Sequence, residues 1–103
     1  MQSVYLKFYI TENQRHKGAL LHEWLLEEAK KLGVPGGSAF RAIAGFGRHG
    51  RVHEESFIEL AGELPVQVEF VADAELADKL LEILRTHKLN LLYVRYAVES
   101  GVL

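Results

Sequence analysis

Apolar and polar residues alternate along the first ten positions, with Val4, Leu6, Phe8 and Ile10 on one side and Tyr5, Lys7 and Tyr9 on the other. That two-residue period belongs to a strand with one face in a core. Polar and basic residues from Thr11 to Gly18 end it. Leu21, Trp24, Leu25, Ala29 and Leu32 then recur at helical spacing. Gly33 suits the left-handed residue just past a helix end and Pro35 blocks continuation, so a helix is predicted from about Gly18 to Leu32.

After the turn at Pro35, Gly36 and Gly37, the stretch Ser38 to Gly45 reads as a second strand. Its alternation places Phe40, Ala42 and Ala44 on one face and Ala39, Arg41 and Ile43 on the other. A glycine-rich, basic loop follows at Gly45 to Arg51. Leu64, Val66, Val68 and Phe70 alternate with Pro65, Gln67, Glu69 and Val71 in a third strand, where Pro65 near the start costs no needed donor. Asp73 is placed to cap a second helix whose apolar stripe is Leu76, Ala77, Leu80, Leu81 and Leu84. Glu75 and Asp78 lie early and Arg85, His87 and Lys88 late, which complements the helix dipole. Leu92, Val94, Tyr96 and Val98 alternate with Leu91, Tyr93, Arg95 and Ala97 in a fourth strand ending near Glu99.

The order β-α-β-β-α-β, with right-handed crossovers, predicts an α+β, ferredoxin-like sandwich: a four-stranded antiparallel sheet with two helices on one face. The other face would carry Tyr5, Tyr9, Ala39, Ile43, Val71, Leu91 and Tyr93 beside Lys7, Arg41, Glu69 and Arg95. That is too apolar for a freely solvated surface, so a homo-oligomer is expected.

Length and composition narrow the picture. At 103 residues the chain predicts one domain, 1–103, set against roughly 150 residues per domain. Twelve Lys plus Arg against fourteen Asp plus Glu give a net charge of −2, which argues against a nucleic-acid partner. The absence of cysteine excludes disulfides, thiolate zinc sites and thiol nucleophiles. The alternating first strand lacks the apolar run of a signal peptide, and no segment reaches the roughly 20 apolar residues that span a bilayer. The expectation is a cytoplasmic protein that is not itself a membrane protein.

The densest polar constellation is Arg41 followed by Gly45, Phe46, Gly47, Arg48, His49, Arg51 and His53. Glycines allow close backbone approach and arginine forks match phosphate or carboxylate oxygens, so the segment suits a small anionic ligand. The alternative is a solvated connection whose arginines aid solubility. Arg15, His16 and Lys17 form a second basic cluster before the first helix, to be neutralised by an anion, or by Glu12 and solvent. Thr86, His87 and Lys88 have a sufficient structural reason in the dipole of the second helix. His49 and His53 are four apart, but the intervening Gly50 argues against the helix that a metal pair needs, and no metal site is expected. Ser38, Ser56 and Thr86 show no evident triad. Nor does Phe46, followed by Arg48, His49 and Gly50, match the strand aromatics of RNA-recognition domains.

The run Gly18, Leu20, Leu21, His22, Glu23, Trp24 and Leu25, then Ala29, Lys30, Leu32 and Gly33, resembles the family called domain of unknown function 190. So do Gly37, Phe40, Arg41, Ile43, Gly45, Phe46 and Gly47, followed by Glu63, Leu64 and Pro65; together they span nearly the whole chain. That family is similar to the PII signal-transduction proteins. The resemblance implies a ferredoxin-like trimer, ligand clefts between subunits, and a long loop at Gly45 to Leu64 that reports the ligand state to a transporter, enzyme or regulator. No PII-type uridylylation tyrosine occurs in Phe46 to Glu63. Residues and resemblance together predict a homotrimeric sensor with no required cofactor. It would hold a nucleotide or other small anionic metabolite through Arg41 and the Gly45 to His53 segment, with Arg41 directed at the neighbouring subunit. Two alternatives are an intersubunit enzyme using His53 or His49 as acid or base, and a ligand-free adaptor trimer.

Overall fold

The computed structural model of the protein describes residues 2–46 and 64–103. Strand β1 (Gln2–Thr11) buries Val4, Leu6, Phe8 and Ile10, as its alternation requires. A hairpin follows, β2 (Arg15–His16) paired with β3 (Ala19–Leu20), then helix α1 (Leu21–Leu32) and β4 (Gly37–Arg41). The remaining elements are β5 (Pro65–Ala72), α2 (Ala74–Thr86) and β6 (Leu92–Glu99).

The four long strands lie in the order β4-β5-β1-β6, every neighbouring pair antiparallel. Each β-α-β unit therefore leaves room for one strand of the other, which is the interleaved ferredoxin-like arrangement. The β1–β5 register sets Leu6 against Phe70 and Phe8 against Val68, so both central strands turn one apolar row to the same side. Onto that row α1 packs Leu21, Leu25 and Ala29, and α2 packs Ala77, Leu80 and Leu84, all buried. Each buried Leu or Phe contributes on the order of 1.5–3 kcal/mol, so this layer carries the fold.

Helix ends follow local chemistry. Gly33 is left-handed at φ 96°, and the Val34 N–H reaches the Ala29 carbonyl at 3.1 Å, closing α1. The Asp73 carboxylate caps α2 by accepting from the Leu76 N–H at 2.8 Å. At its start α1 departs from expectation, beginning at Leu21 rather than Gly18. Lys17 (φ 51°) and Gly18 (φ 80°) both take left-handed backbone, the geometry of a two-residue hairpin turn, which a helix cannot contain. The basic cluster Arg15, His16 and Lys17 therefore sits on a hairpin, where Arg15 donates to the Gly18 carbonyl at 3.2 Å.

The two edge strands are out of phase with the sequence expectation. Directly paired residues share a face, and Tyr5 pairs with Tyr96, Lys7 with Val94, Tyr9 with Leu92, and Gln67 with Phe40. The open face thus carries Phe40, Leu92, Val94 and Tyr96, whereas Ala39, Arg41, Leu91, Tyr93 and Arg95 belong to the helix side. Arg95 bonds Asp78 of α2 at 2.6 Å, consistent with that placement. Strand β4 also ends at Arg41, so Ile43 lies beyond it, fully exposed. On the open face Tyr5 stacks on Tyr96 at 4.9 Å between ring centres, the Tyr5 hydroxyl donates to Glu69, and Lys7 lies over the Tyr5 ring.

Candidate ligand site at the stem of the long loop

The segment between β4 and β5 leaves the sheet through a closed stem. Ala42 N–H donates to the Pro65 carbonyl and Glu12 N–H to the Leu64 carbonyl, both at 2.8 Å. These bonds bring the ends of β1 and β4 and the start of β5 to one point.

Arg41 is the last residue of β4 and pairs with buried Val66, so its side chain leaves on the helix side. It does not face away from the helices, as the sequence pattern suggested. Its Nη1 donates to Glu12 Oε1 at 3.0 Å, in an ion pair whose side chains are 60% and 31% exposed. A pair this accessible contributes at most about 1 kcal/mol, so a competing anion can separate it cheaply. Glu12, His22, Ala39, Arg41 and Val66 line a cavity of about 200 Å³. Two buried polar atoms have no hydrogen-bond partner among the described residues: Glu12 Oε2 and His22 Nδ1, one from each of two cavity-lining residues. Buried polar groups are nearly always satisfied, so such atoms mark where a ligand, ion or water belongs.

Of the expected site residues, Arg41, Gly45 and Phe46 fall in the described part. Gly45 has no left-handed backbone, and among the described residues a Cβ there would lie in ordinary contact with Pro65 Cγ at 3.6 Å. Phe46 is exposed. Gly47, Arg48, His49, Arg51 and His53 lie outside the described residues, and these include both candidate acid–base histidines. Sequence reasoning missed the cavity roles of Glu12 and His22. Glu12 follows the end of β1 and His22 is in the first turn of α1, and no local spacing ties either to Arg41.

A second polar cluster forms where β2 meets α2. His16 Nε2 and His87 Nδ1 are 3.1 Å apart, and both rings stand edge-on to Trp24, with centres 4.5 and 4.9 Å from it. Removal from water, helped by His87 and Lys17 nearby, lowers the His16 pKa below its ordinary value of 6.5. A third feature, a cavity of about 390 Å³ at the C-terminal end of α2, is lined by residues including Phe8, Leu84, Arg85, Lys88 and Tyr93. No helix among the described residues is long and apolar enough to cross a membrane.

The DUF190 family profile, described as "Uncharacterized ACR", matches residues 3–100. The chain belongs to the DUF190 family. A UPF0166 protein of Aquifex aeolicus is 34% identical over 77 residues, covering 75% of this chain and 73% of that protein. Another from Methanocaldococcus jannaschii is 30% identical over 88 residues, covering 82% and 81%. Among solved structures, this DUF190 chain is similar to CPII from Thiomonas intermedia K12 bound to ADP and bicarbonate. The TM-score is 0.67 at 19% identity, over 99% of this chain and 91% of that one. CPII bound to ADP, AMP and bicarbonate, described as a nitrogen regulatory PII-like protein, gives a TM-score of 0.63 at 18% identity, over 99% and 96%. These likenesses show a PII-like fold.

Proposed function

We propose that this DUF190 protein is a PII-like homotrimeric regulator that binds a small anionic metabolite, a nucleotide foremost, and reports it to a partner through the segment after β4. The observation that carries this reading is the stem itself. An accessible arginine, in an ion pair with Glu12 at the surface, lines a cavity with two polar atoms that have no partner among the described residues, where the long connection joins the sheet. An anion taken up by Arg41 would loosen it from Glu12 and so alter the base of that connection, which is how occupancy reaches a partner such as a transporter, enzyme or regulator. The binding of ADP and bicarbonate by the similarly folded CPII supports the ligand class. Strand β4 is a sheet edge, so Arg41 stands at a rim where a second subunit can complete the cleft.

Calorimetric titration of ADP, AMP and bicarbonate into the wild type and Arg41→Ala tests the reading. Charge-assisted hydrogen bonds are worth about 1.5–3 kcal/mol, so the substitution should weaken the bound ligand by roughly 10- to 100-fold without unfolding the protein. Unchanged affinity would remove Arg41 from the site.

A further inference from the structure

We infer that the stem cavity selects an oxyanion that carries a proton over one that offers only acceptors. The inference rests on the reading of Arg41 as the anion contact and concerns what else that anion must meet. Glu12 engages Arg41 through Oε1, which leaves Oε2 buried and unpartnered in the residue next to the anion. A carboxylate oxygen can only accept, so a second acceptor placed against it adds repulsion to an unmade bond. A ligand with an O–H turns the same contact into a charge-assisted hydrogen bond. His22 Nδ1, the other unpartnered atom, donates or accepts according to its tautomer and so fits either kind of ligand oxygen. At about 200 Å³ the cavity takes one small oxyanion or one terminal group, not a whole nucleotide. Selectivity therefore comes from Glu12 acting against the wrong ligand as well as for the right one. The ligand chemistry is that of free hydrogen phosphate or bicarbonate, because a terminal phosphate ester, with a second pKa of about 6, is mostly without a proton at pH 7.

The test compares inorganic phosphate with sulfate, similar in shape but differing in a proton at pH 7, by calorimetry at constant ionic strength on wild type, Glu12→Gln and Arg41→Ala. The wild type should prefer phosphate by at least about tenfold. Glu12→Gln supplies an amide donor in place of the lone acceptor and should erase or reverse that preference while leaving the melting temperature within a few degrees. AMP, run alongside, separates the two sources: its phosphate is mostly without a proton at pH 7, so it should bind this cavity more weakly than free phosphate, and AMP binding tighter than phosphate in the wild type would overturn the proton selection. Equal affinity for phosphate and sulfate, with both lost in Arg41→Ala, would overturn the proton selection and leave the anion site standing. A phosphate preference that survives Glu12→Gln would overturn the role of Glu12. If no oxyanion or nucleotide binds and Arg41→Ala changes nothing, both readings fall.

Discussion

Gly37 opens β4, and a Cβ built there would stand 2.5 Å from both Cδ1 and Cε1 of Phe70 and 3.1 Å from a Leu26 methyl. Phe70 is a buried core ring paired directly with Gly37, so the added methyl meets a packed side chain rather than solvent. Gly37→Ala must therefore push β4 away from β5 or tilt the ring. Overpacking of this kind costs about 1–3 kcal/mol. Against it stands the smaller entropy of the unfolded chain, worth about 0.4–1 kcal/mol to an alanine. The net expectation is a loss of about 1–2 kcal/mol, or roughly 4–16 °C in melting temperature for a domain this size. Gly36→Ala is the control, because nothing lies within 4 Å of its Cβ position and its backbone is not left-handed. It should be neutral or slightly stabilising. Thermal unfolding followed by circular dichroism decides, and equal stability of the two variants would refute the claim that β4 is docked by the Gly37–Phe70 approach. Because Arg41 lies on the same strand, Gly37→Ala should also weaken anion binding.

Two further outcomes are expected. Burial keeps the His16 pKa below 6.5, so below that pH the unfolded chain takes up a proton that the folded protein resists; stability is complete above about pH 6.5 and declines as the pH falls through the lowered pKa. Emission from Trp24, the single tryptophan, should fall over the same range as the adjacent imidazole becomes charged, and His16→Gln should flatten both profiles below about pH 6.5; parallel profiles in the two proteins would refute the coupling. On the open sheet face, Val94→Lys should convert an assembly three times 11.6 kDa into monomers by light scattering, with circular dichroism unchanged; a monomeric wild type would contradict the trimer.

The sequence was most legible where one face of an element is unambiguously apolar. In β1 the row Val4, Leu6, Phe8 and Ile10 faces Tyr5, Lys7 and Tyr9, and in α2 the apolar stripe sits behind a real cap at Asp73, so both were readable in place and phase. Strand β6 has apolar residues on both sides, Leu91 and Tyr93 against Leu92, Val94 and Tyr96, and strand β4 sets Phe40 between Ala39 and Arg41. Such edges do not announce their phase, and one residue of shift exchanges the faces completely. Only pairing, Tyr5 with Tyr96 and Val66 with Arg41, fixes it. The site was half legible for the same reason. Arg41 is conspicuous beside its glycines, but Glu12 and His22 join it through tertiary structure alone. His16 and His87, 71 positions apart, likewise meet only because the β2–β3 hairpin folds against the end of α2.

Anion binding at the stem is tested most directly by mapping amide chemical shifts on isotope-labelled protein titrated with ADP and with inorganic phosphate. Saturable shifts centred on Glu12, His22, Arg41 and Ala42 are expected, and their loss in Arg41→Ala. Shifts confined instead to Arg85, Lys88 and Tyr93, around the cavity at the end of α2, would contradict binding at the stem by placing the ligand elsewhere.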